Sequence, residues 1–208
     1  MTVHAQQDWG SSLTLEQSKK LFRKFEITLG EEFRLRDDFS TPDRIAGDLS
    51  VSYKPVQYLK AGVAYNPICF NHEKQGWEMR HRYYAYASGS YTFERFTLSL
   101  RERFQSTYRV GVEETAKRAN PKQFLRSRLK LEYDVRKSGF EPYLSLEFYK
   151  PLNDPVDNRM NKIRYTAGTM YKINRRHALE LFYRYTNFRD DDDTNGNHMI
   201  GLGYAFRF

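Results

Sequence analysis

Ten stretches of this chain alternate strictly between bulky apolar and charged or small residues, with almost no charge straying onto the apolar side. Residues 25–35 set Phe25, Ile27, Leu29, Phe33 and Leu35 against Glu26, Thr28, Glu32 and Arg34. Residues 96–104 set Phe96, Leu98, Leu100 and Phe104 against Arg95, Thr97, Arg101 and Arg103, and residues 125–135 repeat the pattern with Leu129, Leu131 and Tyr133 against Arg126, Arg128 and Lys130. A period of two is the signature of a half-covered strand, and long helical patterns are absent. The chain is therefore expected to be all-β.

The two faces decide what kind of β protein this is. Across the strands the polar face carries seventeen basic residues against eight acidic ones, whereas Glu31 and Glu102 are the exceptions on the apolar face. Gly30 beside Glu31 suggests a bulge that would re-aim that carboxylate. A basic group on a lipid-facing position at the bilayer midplane costs about 2–4 kcal/mol, so so clean a separation implies lipid outside and water or salt bridges inside. With 29 % charged residues, no run approaches the ~20 apolar residues of a spanning helix. A membrane barrel escapes that test because its two faces average to a polar chain. Aromatic residues make up 16 %, and Tyr53, Tyr65, Trp77, Tyr133, Tyr171 and Tyr185 near apolar strand ends suit headgroup belts.

The spacing of the turns gives the topology. Walking back from the C-terminus, connections at 189–197, 150–160, 108–121, 66–76 and 37–43 are long, and those at 173–176, 137–140, 91–94 and 54–57 are short. This order predicts a transmembrane antiparallel up-and-down β-barrel of 10 strands, or 12, with short periplasmic turns and long external loops. Trp9–Gln17 reads as an eleventh strand; since a single-chain bacterial barrel wants an even number, it is either a flap paired on the first strand or the sign of a strand miscounted elsewhere. Residues 1–7 carry a small-residue Val3-His4-Ala5 site and are expected to be what remains of a processed signal segment, leaving 8–208 as one domain.

The C-terminal strand runs Ile200, Leu202, Tyr204, Phe206 on one face and ends on Phe208. Its Gly203, Phe206 and Phe208 resemble the C-terminal signal of bacterial outer-membrane barrels, which implies the barrel assembly machinery as a partner. The opening Asp8-Trp9, the Glu32-Phe33-Arg34 segment and the Tyr204–Phe208 ending together resemble an uncharacterised family of small outer-membrane β-barrels, a domain of unknown function. That resemblance implies a fold and a location in the bacterial outer membrane, not an activity. Size and arginine placement are also similar to the arginine-lined monomeric porins for oligogalacturonate and sialic acid.

Candidate functional residues follow from the charged face. Arg80 and Arg82, Arg101 and Arg103, and Arg126 and Arg128 stand two apart on their strands, so each pair stacks along the lumen. Guanidinium forks take carboxylate or phosphate bidentately, and a positive ring selects anions. The opposing reading is a closed lumen in which these arginines only neutralise Glu78, Glu132, Asp134 and Glu147. Asp191, Asp193, Asn195 and Gly196 match the opening of a calcium loop, but the twelfth position is Leu202 and no helix flanks it, so a solvated acidic loop outranks a metal site. Cys69 falls in a predicted loop and forms no disulfide framework. His72, His81, His177 and His198 have no metal-ligand spacing, and no nucleophile elbow exists; His198, at the rim of the last strand, is the one catalytic candidate. The sequence thus predicts a non-enzymatic, monomeric barrel without cofactor, partnered by outer-membrane lipid, lipopolysaccharide and anionic solutes. Its net charge of +8 is scattered through every strand rather than clustered, which speaks against nucleic acid. A closed interaction barrel working through its loops is the second reading, and a membrane-embedded lipid-modifying enzyme the third.

Overall fold

A computed structural model describes residues 8–116, 118–156, 158–189 and 194–208. Eleven strands are described: β1 (Asp8–Leu21), β2 (Phe25–Arg36), β3 (Thr41–Val56), β4 (Leu59–His72), β5 (Gly76–Phe93), β6 (Phe96–Arg109), β7 (Lys122–Tyr133), β8 (Phe140–Pro151), β9 (Lys162–Lys172), β10 (His177–Arg189) and β11 (Thr194–Arg207). Each pairs antiparallel with the next, and β1 pairs with β11 to close the barrel. The expected count of ten is therefore wrong, and so is the flap. The segment from Asp8 is a full wall strand, paired with β2 from Ser11↔Leu35 to Leu21↔Phe25 and with β11 from Asp8↔Asn197 to Ser18↔Arg207. An odd number of up-and-down strands leaves the first and last running the same way, so this one seam is parallel. Parallel ladders are slightly weaker per residue. Asp8 reinforces this one: its carboxylate accepts from the Asn197 side-chain amide at 2.9 Å and from the Asp37 backbone N–H at 2.9 Å. The other end is tied as well, the Phe208 N–H donating to the Ser18 carbonyl at 2.9 Å.

The connections also differ from expectation. Of the connections expected to be long, 110–121 and 152–161 are so, whereas 37–40 and 73–75 are short. Residues 66–72 do not form a loop but continue β4, pairing with β5 in unbroken register from Asn66↔Arg82 to His72↔Gly76. Cys69 accordingly lies in a strand. Polar residues there satisfy their backbone in a ladder prolonged past the apolar band, a choice that composition does not distinguish from a loop. No bulge occurs at Gly30 and Glu31, which pair in register with Asp48 and Gly47; Glu31 stays on the outer face and is exposed.

Outside, an aliphatic band including Leu13, Leu29, Leu49, Val63, Leu98, Leu100, Leu129, Leu144, Leu181 and Leu202 is exposed. Aromatic clusters border it. Near the short turns stand Phe25 with Tyr53, Phe93 with Phe96 and Tyr133, and Phe140 with Tyr171, ring centroids 4.6–5.4 Å apart. At the other end Trp9 stacks on His198 at 4.7 Å and Tyr65 on His81. Two aromatic girdles around an apolar band are what a bilayer-spanning barrel requires.

Inside, small residues make room for rings laid flat across the wall. Phe182 is buried over Gly201, where a Cβ would overlap its ring, and Tyr143 lies against Gly168. Gly201→Val is expected to push Phe182 off this seat and lower the unfolding free energy by about 1–3 kcal/mol, the usual cost of overpacking. A urea titration in detergent, followed by the folded band on unheated gels, checks it.

Candidate anion site in the lumen

Strand alternation puts the charged residues of β2–β10 on the inner wall, where they line a cavity of about 790 Å3. Thirteen basic side chains surround it against four acids, Glu16, Glu32, Asp48 and Glu147. All six arginines singled out in the sequence, Arg80, Arg82, Arg101, Arg103, Arg126 and Arg128, lie on this wall. Arg34, Arg44, Arg109, Arg164, Arg184, Lys122 and Lys162 join them. The basic set is therefore a ring over seven strands and not only a ladder on β5–β7.

Glu147 on β8 is the hub. Its carboxylate accepts from Arg126 at 2.9 and 3.0 Å, from Arg101 at 3.1 Å, from Arg164 at 3.5 Å and from the Tyr149 hydroxyl at 2.9 Å. The buried Arg126 also donates to Gln105 Oε1 at 2.8 Å. Tyr149, itself buried, presents its ring to three cations: Lys162 Nζ at 4.0 Å, Arg126 at 4.4 Å and Arg164 at 5.1 Å from the centroid. Arg34 pairs with Glu32 at 2.5 Å, Arg80 with Glu78, and Arg44 with Asp43 at 2.9 Å.

Lys122 pairs with Asp154 at 3.5 Å, and most of the remaining members are not neutralised. Among the described residues, no carboxylate lies within 4.0 Å of Arg82, Arg103, Arg128, Lys162 or Arg184. Arg82 donates to Thr107 Oγ1 and Asn66 Oδ1 at 3.3 and 3.4 Å, while Arg103 lies over the Tyr84 ring at 3.9 Å. In the low-dielectric wall of a narrow tube such cations repel one another more strongly than in water.

Toward the short turns the character changes. A second cavity of about 360 Å3, sharing Glu16, Glu32, Asp48, Asn66 and Tyr84 with the first, is bordered by Glu180 and Gly203. Two of its acids accept from tyrosine hydroxyls, Asp48 from Tyr84 at 2.7 Å and Glu180 from Tyr143 at 2.5 Å, and nearer the β1–β2 turn Lys60 donates to Glu26 at 2.9 Å.

The remaining candidates are placed elsewhere. Phe206 packs on His177 at 4.9 Å, Phe208 is exposed, and Gly203 leaves room for Thr14 and Glu180. His198 belongs to the outer aromatic belt, its Nδ1 2.6 Å from the Tyr183 hydroxyl, its ring between Trp9 and Tyr185. Asp191 and Asp193 lie outside the described residues, as do residues 1–7, and Asn195 belongs to β11. No metal-binding cluster occurs among the described residues.

A family model described as a protein of unknown function, DUF2490, matches residues 9–197. The chain belongs to that family. Among curated proteins no sequence matches it. Several solved structures share its fold. The NanC porin superposes with a TM-score of 0.61 at 12% identity, covering 93% of this chain and 91% of its own. The β-domain of the Bordetella autotransporter BrkA gives a TM-score of 0.53 at 13% identity, covering 88% of this chain and 83% of its own. This DUF2490 member therefore has a porin-like β-barrel fold. Its Asp8-Trp9 opening, noticed in the sequence as a point of family likeness, is where β1 is clasped to β11 and to the β2–β3 turn.

Proposed function

We propose that the protein is a bacterial outer-membrane barrel whose lumen forms a narrow, anion-preferring channel for small anions or acidic oligosaccharides. The observation that carries this reading is the lumen ring of thirteen basic and four acidic side chains inside an apolar, girdled exterior. Anions entering such a ring meet unpaired guanidinium groups in a confined, low-dielectric setting, and cations are turned away. Gly203, Phe206 and Phe208 serve the assembly machinery, and the girdles seat a monomer among membrane lipid and lipopolysaccharide.

Selectivity is assigned mainly to Arg82, Arg103 and Arg128, because Arg101 and Arg126 are engaged by Glu147. Reversal potential in a planar bilayer under a salt gradient tests this. The wild type is expected to give the anion sign, and Arg103→Gln with Arg128→Gln is expected to move the potential toward zero without loss of folding. A cation sign, or silence from folded barrel, would refute the channel.

A specific observation favours the second reading, a closed barrel acting through its loops. Glu147 bridges β8 to β6, β7 and β9 across the interior, and Phe182 and Tyr143 lie flat inside it. On that reading the work falls to the loops at 110–121 and 152–161. Asn120 braces the first, receiving the Arg109 N–H at 2.8 Å and donating to its carbonyl at 2.9 Å.

A further inference from the structure

The strand register places arginine directly opposite arginine four times on the inner wall: Arg34↔Arg44, Arg80↔Arg109, Arg101↔Arg128 and Arg103↔Arg126. Like charges opposite one another on neighbouring strands are destabilising, with Cβ atoms about 4.5–5.5 Å apart. A barrel that needed only a solvated lumen would set such pairs against carboxylates, as at Glu147↔Arg164; Arg128 also stands opposite Glu147, but that carboxylate is taken by Arg101, Arg126 and Arg164. Here Arg103, Arg109 and Arg128 have no carboxylate within 4.0 Å among the described residues. Lys162 points the same way: its ammonium rests on the Tyr149 ring, which it shares with Arg126 and Arg164, and no carboxylate lies within 4.0 Å of it among the described residues. The Nε groups of Arg103, Arg126, Arg164 and Arg184 are buried without an acceptor among the described residues.

We propose that this part of the lumen is a binding site for a single multivalent oxyanion, a ligand with three or more closely spaced phosphate or carboxylate groups, held by Arg103, Arg128, Lys162 and Arg184. One monoanion cannot serve cations spread over four strands at once, whereas linked oxyanions can, each taking a guanidinium fork. The inference deepens the anion-channel reading, yet it does not need an open pore.

Isothermal titration of the refolded full chain in detergent micelles, at matched ionic strength, tests it with tripolyphosphate, citrate and orthophosphate. Saturable one-to-one binding of tripolyphosphate or citrate is expected, at least about tenfold tighter than orthophosphate, as befits several charge-assisted contacts. Preference between these two probes, each with three linked oxyanion groups, tells phosphate from carboxylate chemistry. Lys162→Met and Arg103→Gln are each expected to weaken binding about tenfold, and Lys24→Gln, in the exposed β1–β2 turn, to leave it unchanged. Absence of saturable binding to folded protein, equal affinity for orthophosphate, or binding indifferent to Lys162→Met and Arg103→Gln would overturn the site. Binding without conductance would remove the channel and leave the site standing.

Discussion

Glu147→Gln is expected to be the most damaging single substitution in the barrel, lowering its unfolding free energy by about 3–5 kcal/mol, the range for breaking a buried ion pair from one side. The side chain is only 5 % exposed and serves Arg101, Arg126 and Arg164 on three different strands. Glutamine keeps the shape and one acceptor oxygen, so the change isolates the charge. Arg126 and Arg164 then face one another over Tyr149, with Arg101 beside them, and no counter-charge remains. Urea unfolding in detergent, read by the heat-modifiable shift on gels, gives the magnitude. Tripolyphosphate should restore part of the loss, because an anion bound only by the folded state stabilises it. A shift below about 1 kcal/mol, the value of an exposed pair, would mean that water already compensates the ring.

Deleting Asp8–Leu21 is expected to abolish the folded barrel altogether. That segment is one wall strand with two seams, to β2 and to β11. Its loss bares two strand edges, whose backbone groups have no partner in hydrocarbon. The measurement is the appearance of a compact, heat-modifiable band after refolding. A ten-strand barrel of normal mobility from the shortened chain would show that β1 is an accessory flap after all.

The ten main strands, their inward and outward faces and the arginine-rich interior were legible because they follow from a local period of two. The closure was not. Whether Trp9–Gln17 is wall or flap depends on pairing with residues some 190 positions away, Asp8↔Asn197 among them, and local alternation is silent on that. The length of β4 was missed for a related reason: Asn66, Pro67 and Asn71 look like loop residues, yet the ladder to β5 carries them. Within the site, the six arginines were found as pairs two apart. Arg184 was missed as a member because no second basic residue stands two positions away on its strand, and Lys162 because it is the first residue of β9, where the alternation only begins. Glu147 was recognised as a neutralising acid, but its role as a hub arises from register, which sets it between Arg128 and Arg164. The directly opposed arginines are likewise invisible until cross-strand partners are known.

The inverted arrangement, apolar side out and charged side in, within a bilayer is the claim on which everything else rests. The most direct measurement is thiol labelling of adjacent positions on β6 in lipid vesicles, in a Cys69→Ser background. Ser99 faces the lumen and Leu100, 51 % exposed, faces outward. The account predicts that a membrane-impermeant maleimide modifies Ser99→Cys and spares Leu100→Cys, while a bilayer-dissolved quencher reaches a probe at position 100 and not at 99. The reverse pattern, or equal labelling at both positions in folded protein, would contradict it.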